Sequence, residues 1–311
     1  DTAGVLLAEA PWEQEEISLI IDVGTNAEIV LGNRNRLLAA SSPTGPAFEG
    51  AQISSGQRAA PGAIERVRID PETLEPRVRV VGSDVWSDEP GFEGAIGPQG
   101  VTGICGSGII EAVASMYLVG IMRQDGVIDG TAAHRSERVQ ADGRTFSYRL
   151  FDGEPPIVVT QGDIRAIQLA KAALYAGARL LMGRLGVGQV DRIRLAGAFG
   201  SFIDVKYAMV LGLIPDCDLD RVSSAKNAAG TGARIALLNS ESRRDIALRV
   251  HNIEKIETAV DPDFQQHFVE AMGVPHSTQL FTRLAKAVEL PQAKNFIGTH
   301  NSAKRRTRRS T

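Results

Sequence analysis

The stretch that decides the fold is LIIDVGTNAEIVLG, residues 19–32. Two apolar runs rich in β-branched residues, 19–21 and 29–31, flank a polar turn that contains glycine, which is typical of two antiparallel strands. A third apolar run, residues 37–40, follows a second polar turn. The sequence therefore predicts a meander of three antiparallel strands, with residues 22–26 at the first turn.

This first turn joins a strand to a strand. A P-loop or a dinucleotide-binding fingerprint joins a strand to a helix, and neither signature occurs in the sequence. Gly24 lets the backbone approach an anion, while Thr25 and Asn26 offer hydroxyl, amide and backbone N–H donors. Asp22 only accepts hydrogen bonds, so its natural partner is Mg²⁺ or a metal-bound water. The alternative is a plain hairpin turn, because Asp, Gly and Asn favour turns.

Two further glycine motifs occur downstream. Residues 191–195 predict a strand that ends at Gly197-Ala198-Phe199-Gly200, where backbone free of side chains would let a flat adenine ring lie close. Gly230 lies in the glycine turn 227–232, which is expected to precede a helix whose first N–H groups face an anion. The alternatives are an ordinary strand-to-helix connection at the first motif and close helix packing at the second.

The remaining segments predict inserted β-structure and several helices. Thr160 and Asp163 match a capping box at the start of the longest helix. The other predicted elements are a hairpin at 63–81, a helix at 107–118, a strand-like excursion at 121–158 and a last ordered helix at 264–272.

The order of elements predicts an α/β fold, namely a ribonuclease-H-like lobe of the actin-like ATPase kind with inserted β-hairpins. Only one strand–Asp-x-Gly-Thr–strand unit occurs, so the partner lobe is expected in sequence before residue 1. The predicted domains are the end of a preceding lobe or a connecting helix at 1–16, the actin-like lobe at 17–290, and a basic, disordered tail at 291–311.

Charge and cysteine content narrow the function classes. The formal net charge is -3 even though residues 304–309 carry five positive charges, so the body is acidic and unsuited to nucleic acid. No apolar stretch reaches the length of about 18 residues that a membrane span needs. The two cysteines, Cys105 and Cys217, are too few for a disulfide framework or a four-thiolate cluster, and they fit a cytoplasmic protein.

Several long peptides resemble those of the ATP-dependent reductive activators of corrinoid proteins, within the acetate/sugar kinase–heat-shock chaperone–actin superfamily. The chain is similar to the C-terminal part of these activators, their second actin-like lobe, over roughly residues 1–276. Apart from the opening stretch, the peptides that carry this resemblance are GPAFEGA (45–51), RAAPGAI (58–64), GICGSG (103–108), QGDIRAIQLAKAA (161–173) and LAGAFG (195–200).

The resemblance implies a full-length chain with a [2Fe–2S] domain, a linker and a two-lobed actin-like domain. In that family, ATP binding is coupled to the delivery of one electron to a corrinoid in the cob(II) state, which restores the Co(I) state. The cofactors implied are therefore ATP and Mg²⁺ here and the cluster on the N-terminal domain. The expected partners are a corrinoid protein of a methyltransferase system, the N-terminal lobe and, in a homodimer, a second copy. Activity is expected of the full-length protein and not of this chain alone.

The sequence leaves alternatives for the roles of four residues and for the function of the protein. Lys226 stands where the family usually has glycine, which puts the nucleotide contact there in question. Cys105 is expected at a helix N-terminus as a small packed residue or a reactive thiol. Glu49 and Asp163 either hold water or Mg²⁺ near the phosphates or, for Asp163, cap a helix. The competing functions are a small-molecule phosphotransferase of the sugar-kinase type, for which no catalytic carboxylate is identified, and a non-catalytic interaction domain.

Overall fold

The computed structural model describes residues 1–200 and 202–291, with the backbone alone at 198 and 199. The strands are β1 (Ser18–Val23), β2 (Asn26–Gly32), β3 (Leu37–Pro43), β4 (Ala63–Ile69), β5 (Pro76–Val80), β6 (Gly103–Ile104), β7 (Val139–Asp142), β8 (Thr145–Phe151), β9 (Ile157–Thr160), β10 (Arg192–Ala196), β11 (Val222–Lys226) and β12 (Glu254–Lys255). The helices are α1 (Thr2–Glu9), α2 (Phe92–Ala95), α3 (Gly106–Leu118), α4 (Gln161–Leu185), α5 (Gly197–Gly200), α6 (Val205–Leu211), α7 (Ala228–Leu238), α8 (Ser240–Asn252), α9 (Pro262–Glu270) and α10 (Leu284–Ala287).

The central sheet has six strands in the order β11-β10-β1-β2-β3-β12. β1, β2 and β3 form the predicted antiparallel meander. β10 and β11 extend the sheet in parallel beyond β1, and β12 lies parallel to β3 at the other edge. The carboxyl ends of β1, β10 and β11 therefore lie side by side at one edge of the sheet, which is where open α/β sheets bind ligands.

Helices cover both faces of this sheet, which explains why β1 is an almost continuous apolar run. Leu19 and Ile21 face the large core beneath α4, whereas Ile20 packs with Val5 of α1 and Ile246 of α8 in a smaller core on the opposite face. Alternate residues of β1 are thus buried on opposite sides. The segment 1–16, predicted as a connecting helix, contributes α1 to this second layer.

The longest helix, α4, begins as predicted. The Thr160 side chain accepts from the backbone N–H of Asp163, and the Asp163 side chain accepts from the N–H of Thr160, which completes a capping box. A Cβ on Gly177 would lie 2.8 Å from Ile29 Cδ1, so this glycine lets α4 approach the sheet closely. Asp163 also accepts from the backbone N–H of Ser54 at 2.7 Å, and its carboxylate is buried.

The inserted β-structure is confirmed. β4 and β5 form a hairpin that β6 joins in parallel, and β7, β8 and β9 form a separate antiparallel sheet. The helix prediction at 264–272 matches α9, but this helix is not the last element, because α10 follows it. α8 was not predicted, because its mean hydropathy is low and little of it is buried. The predicted tail, apart from residue 291, lies outside the described residues.

Candidate nucleotide-binding site

The hairpin tip between β1 and β2 is held in place by the segment that follows β3. The Gly24 N–H donates to the Asn26 carbonyl at 3.0 Å, which closes the turn. Thr44 Oγ1 donates to the carbonyls of Gly24 at 2.8 Å and Thr25 at 3.0 Å, and the Gly45 N–H donates to the Thr25 carbonyl at 2.9 Å. The carbonyls of the tip thus accept hydrogen bonds from the segment that follows β3, while Thr25 and Asn26 remain exposed.

Glu49 lies beside this tip. Thr25 Oγ1 donates to Glu49 Oε1 at 2.6 Å, and both side chains are exposed. Glu49 ends the short 3₁₀ helix Pro46–Glu49, which Gly45 and Gly50 flank with positive φ angles of 69° and 81°. The structure therefore brings Glu49 to the predicted phosphate turn, whereas Asp163 belongs to the cap of α4.

Two carboxylates lie opposite each other just behind the tip. Asp22 of β1 pairs with Glu28 of β2, so both side chains project from the same face of the sheet. Both are half-buried, and burial raises the pKa of Asp22 above its ordinary 3.8. Burial and then the Asp22 charge raise the pKa of Glu28, whose carboxylate accepts from Ser41 Oγ at 3.4 Å.

This pair suits a hard cation such as Mg²⁺, which prefers oxygen ligands and usually keeps several waters. A bound cation would offset the loss of hydration that burial imposes on the two carboxylates. Among residues 1–200 and 202–291, no group of three or more His, Cys, Asp or Glu side chains is placed to hold a metal. A cation here would thus need ligands from water or from the nucleotide.

Glu28 was not predicted as a site residue. In the structure Val23 pairs with Ala27 and Asp22 with Glu28, so the hairpin is centred on Thr25. A two-residue turn at Gly24–Thr25 would have paired Asp22 with Ala27, so the sequence alone did not place Glu28 opposite Asp22.

Gly197 begins α5 directly against Asp22. A Cβ at this position would lie 2.7 Å from Asp22 Oδ1 and 3.1 Å from the Val23 carbonyl, and the φ angle of 85° disfavours other residues. The sequence argument ascribed this glycine to the close approach of adenine, but the space that a Cβ would take is already bounded by Asp22. Gly200 packs on the backbone of Leu195. The side chains of Ala198 and Phe199 lie outside the described residues.

The third motif lies at the start of α7, and here the prediction needs correction. Gly230 and Gly232 do not precede the helix but lie within it, because Asn227 is its N-cap. The Asn227 side chain accepts from the Gly230 N–H at 2.9 Å, so that donor is already engaged. A Cβ on Gly232 would collide with the carbonyl of Gly4 in α1, which makes this glycine a packing residue.

The register nevertheless brings the three motifs together. Asp22 of β1 pairs with Ala196 of β10, which in turn pairs with Lys226 of β11. The phosphate turn, the Gly197 turn and the start of α7 therefore follow three adjacent parallel strands at one edge. Cys105, by contrast, is the buried N-cap residue of α3 and contacts Ser107 Oγ at 3.3 Å.

Comparison with known proteins agrees with this arrangement. A family described as the C-terminal domain of RACo, the ASKHA domain, matches residues 16–285. The chain belongs to this family. The prediction of a ribonuclease-H-like, actin-like lobe is thereby confirmed, and so is the resemblance to corrinoid activators.

Two relatives of this ASKHA domain have names that refer to corrinoid activation or to a corrinoid protein. The chain is 35% identical over 281 residues to the corrinoid activation enzyme RamQ of Eubacterium limosum, a match that covers 86% of this chain and 44% of the relative. It is 31% identical over 218 residues to a [Co(II) methylated amine-specific corrinoid protein] reductase of Methanosarcina barkeri, covering 65% of this chain and 35% of that protein.

A solved structure supports the same assignment. A reductive activator for a corrinoid, iron–sulfur protein matches with a TM-score of 0.76 and 34% identity, over 89% of this chain and 42% of that one. The chain thus spans less than half the length of these relatives. Within the described part of this ASKHA domain, no helix is both long and apolar enough to cross a membrane.

Proposed function

We propose that this chain is the nucleotide-binding lobe of an ATP-dependent reductive activator, which returns a corrinoid protein of a methyltransferase system to the Co(I) state. The observation that carries the proposal is the row Asp22–Ala196–Lys226, which gathers the ends of three motif strands at one edge. Membership of the family and the similarity to two corrinoid-activating proteins support it.

Each residue of the site has a role in this proposal. Asp22, with Glu28 opposite, holds Mg²⁺ directly or through water, and the ion would neutralise phosphate charge when bound. The exposed Asn26 amide donates to phosphate oxygens from a tip whose carbonyls already accept hydrogen bonds. The Thr25 hydroxyl, which donates to Glu49 here, would turn from Glu49 to the phosphate when the nucleotide binds. The backbone at 197–200 and Gly230 then lie toward the nucleoside.

The rest of the proposal concerns parts outside this chain. The electron comes from a [2Fe–2S] domain of the full-length protein, and a second actin-like lobe supplies the opposite wall of the cleft. The partner is a corrinoid protein, the assembly is a homodimer, and the setting is the cytoplasm. ATP binding closes the lobes and so changes the affinity for the corrinoid protein, since a ligand shifts an equilibrium only by its differential affinity for the two states.

The test compares full-length protein with its Asp22→Asn variant. Calorimetric titration with ATP in the presence of Mg²⁺ should show binding to the parent and a clearly weaker affinity for the variant, because the amide cannot replace the carboxylate charge. ATP-dependent conversion of cob(II) to Co(I), followed by visible absorbance, should fall with it. Asp84→Asn serves as control, because the Asp84 side chain is fully exposed in the loop that follows β5. Equal Mg-ATP binding by parent and Asp22→Asn would contradict the assigned role.

A further inference from the structure

Lys226 adopts an unusual backbone conformation. In the part of the chain that the structure describes, three residues other than glycine have a positive φ angle: Ala10 at 43°, Leu74 at 60° and Lys226 at 52°. This left-handed region is unfavourable for a residue with a Cβ, which comes too close to the following carbonyl oxygen. Such strain persists where the surrounding structure enforces it, and it is concentrated at ligand sites.

The other two positions have evident packing reasons. Ala10 is the C-cap of α1 and the N-cap of the 3₁₀ turn that follows it. Leu74 closes the β4–β5 hairpin and is fully buried in the core. Lys226, by contrast, is exposed, so its side chain gains no burial in return for the strained backbone.

The position of Lys226 places its charge at the proposed phosphate site. It pairs with Ala196, which pairs with Asp22, so Lys226 lies two strands away from the carboxylate. Neighbouring strands are about 4.8 Å apart, which puts the two backbones about 10 Å from each other. A lysine has a flexible four-carbon stem, so its ammonium can reach over the intervening strand.

The Lys226 ammonium is also uncommitted. Its backbone N–H donates to Ser224 Oγ at 2.9 Å, but its ammonium forms no salt bridge or hydrogen bond with any residue of 1–200 or 202–291. The carboxylates of Asp22 and Glu28 sit at the far end of the same row. A ligand that lies between them would need negative charge next to Lys226 and a bound cation next to Asp22. A magnesium-bound polyphosphate meets both requirements.

We infer that Lys226 binds the phosphate chain of the nucleotide and so sets the site's preference for ATP over adenosine. This rests on the proposed function. Lys226 directly precedes Asn227, the N-cap of α7, and pairs with Ala196, which directly precedes Gly197. The positive end of the α7 dipole adds to the same field.

The test uses three variants of the full-length protein, each titrated by calorimetry with Mg-ATP, Mg-ADP and adenosine. Lys226→Met keeps the stem and removes the charge, so it should weaken ATP binding about tenfold or more, as for the loss of a charged hydrogen bond, and leave adenosine binding unchanged. Lys226→Arg should retain most of the affinity. Added salt should weaken ATP binding by the parent more than by Lys226→Met.

Lys226→Gly separates binding from folding. Glycine relieves the positive φ, so this variant should melt at a higher temperature than the parent while it loses ATP affinity like Lys226→Met. Equal ATP binding by parent and Lys226→Met overturns the role of Lys226 and leaves the proposed function standing. Equal losses for ATP and adenosine also overturn it, because the lysine would then act on the fold. A parent that binds no nucleotide overturns both proposals.

Discussion

At the scale of single residues, the close approach of backbone to side chain shapes the site more than individual hydrogen-bond donors do. A Cβ at position 197 would lie 2.7 Å from Asp22 Oδ1, which is why this position requires glycine. The Asp22 turn and the Gly197 turn were both predicted from glycine next to a strand, but their mutual contact was not. That contact depends on β1 and β10 being parallel neighbours, although their paired positions Ser18 and Arg192 are 174 residues apart in sequence. Local patterns carry no such information.

A first prediction concerns this contact. Gly197→Ala should lower the free energy of unfolding by about 1–2 kcal/mol or more, because alanine must adopt a φ of 85° and displace the Asp22 carboxylate. Urea unfolding followed by circular dichroism measures the change. Gly183→Ala is the matched control: nothing lies within 4 Å of its Cβ, and alanine in a helix is favoured over glycine by up to about 1 kcal/mol. Loss of stability in the control but not at Gly197 would refute the explanation.

A second prediction follows from the raised pKa of Asp22. Mg²⁺ binds the ionised carboxylate, and burial shifts its protonation to a higher pH than the ordinary 3.8. Mg-ATP affinity should therefore decline as the pH falls toward that raised pKa, at a higher pH than an exposed aspartate would give. Titrations from pH 7.5 downward on parent and Asp22→Asn measure this, and the variant should keep only the weaker dependence that Glu28 contributes. The same decline in both proteins would assign the titration to another group.

At the scale of elements, the inserted hairpin is attached to α3 by one buried carboxylate. Glu111 is fully buried and accepts from Arg66 at 2.7 Å and from the Val67 N–H at 2.9 Å, and it also pairs with Arg68. The sequence predicted both the hairpin and the helix from their periodicity. It did not predict this pairing, because α3 is buried on almost every side and its apolar pattern marks no single contact face.

The third prediction tests this attachment. Glu111→Gln should destabilise the protein by about 3–5 kcal/mol, because Arg66 loses its buried carboxylate partner and Arg68 keeps only Asp204, at 3.3 Å. Thermal and urea unfolding provide the measurement. Asp88→Asn in the same region is the control, since its contact with Arg77 is 3.8 Å long and half-exposed, and such pairs contribute about 0–1 kcal/mol. A change in the free energy of unfolding below 1 kcal/mol for Glu111→Gln would mean that water hydrates the two arginines in place of the carboxylate.

At the scale of the whole molecule, α4 joins the central sheet to the segment after α9. Gln168 donates to the Met272 carbonyl at 2.7 Å, and the fully buried Lys171 donates to the carbonyls of Gly273 and Pro275. The sequence predicted α4 accurately but gave no sign of this role, because a lysine within an amphipathic helix usually marks its solvated face. Its partners lie 102 and 104 residues away, and only the tertiary fold brings them together.

Lys171 gives the last prediction, a dependence of stability on pH. Burial lowers the pKa of Lys171 from 10.5 to about 7, so at pH 8–9 the amine is neutral in the folded state and charged in the unfolded one. A neutral amine has two N–H donors, which matches the two carbonyls. Between about pH 7 and 10 the unfolded chain binds the extra proton, so stability should rise with pH by up to about 1.4 kcal/mol per unit, and below pH 7 this gain is absent. The pKa of neighbouring His276 is lowered to about 4, chiefly by burial, so that ring stays neutral throughout this range.

Urea unfolding of the parent and of Lys171→Met at steps of half a pH unit isolates the effect, because the difference between their free energies of unfolding should grow with pH. A constant difference would mean that Lys171 keeps its proton in the fold and holds the two carbonyls as an ammonium.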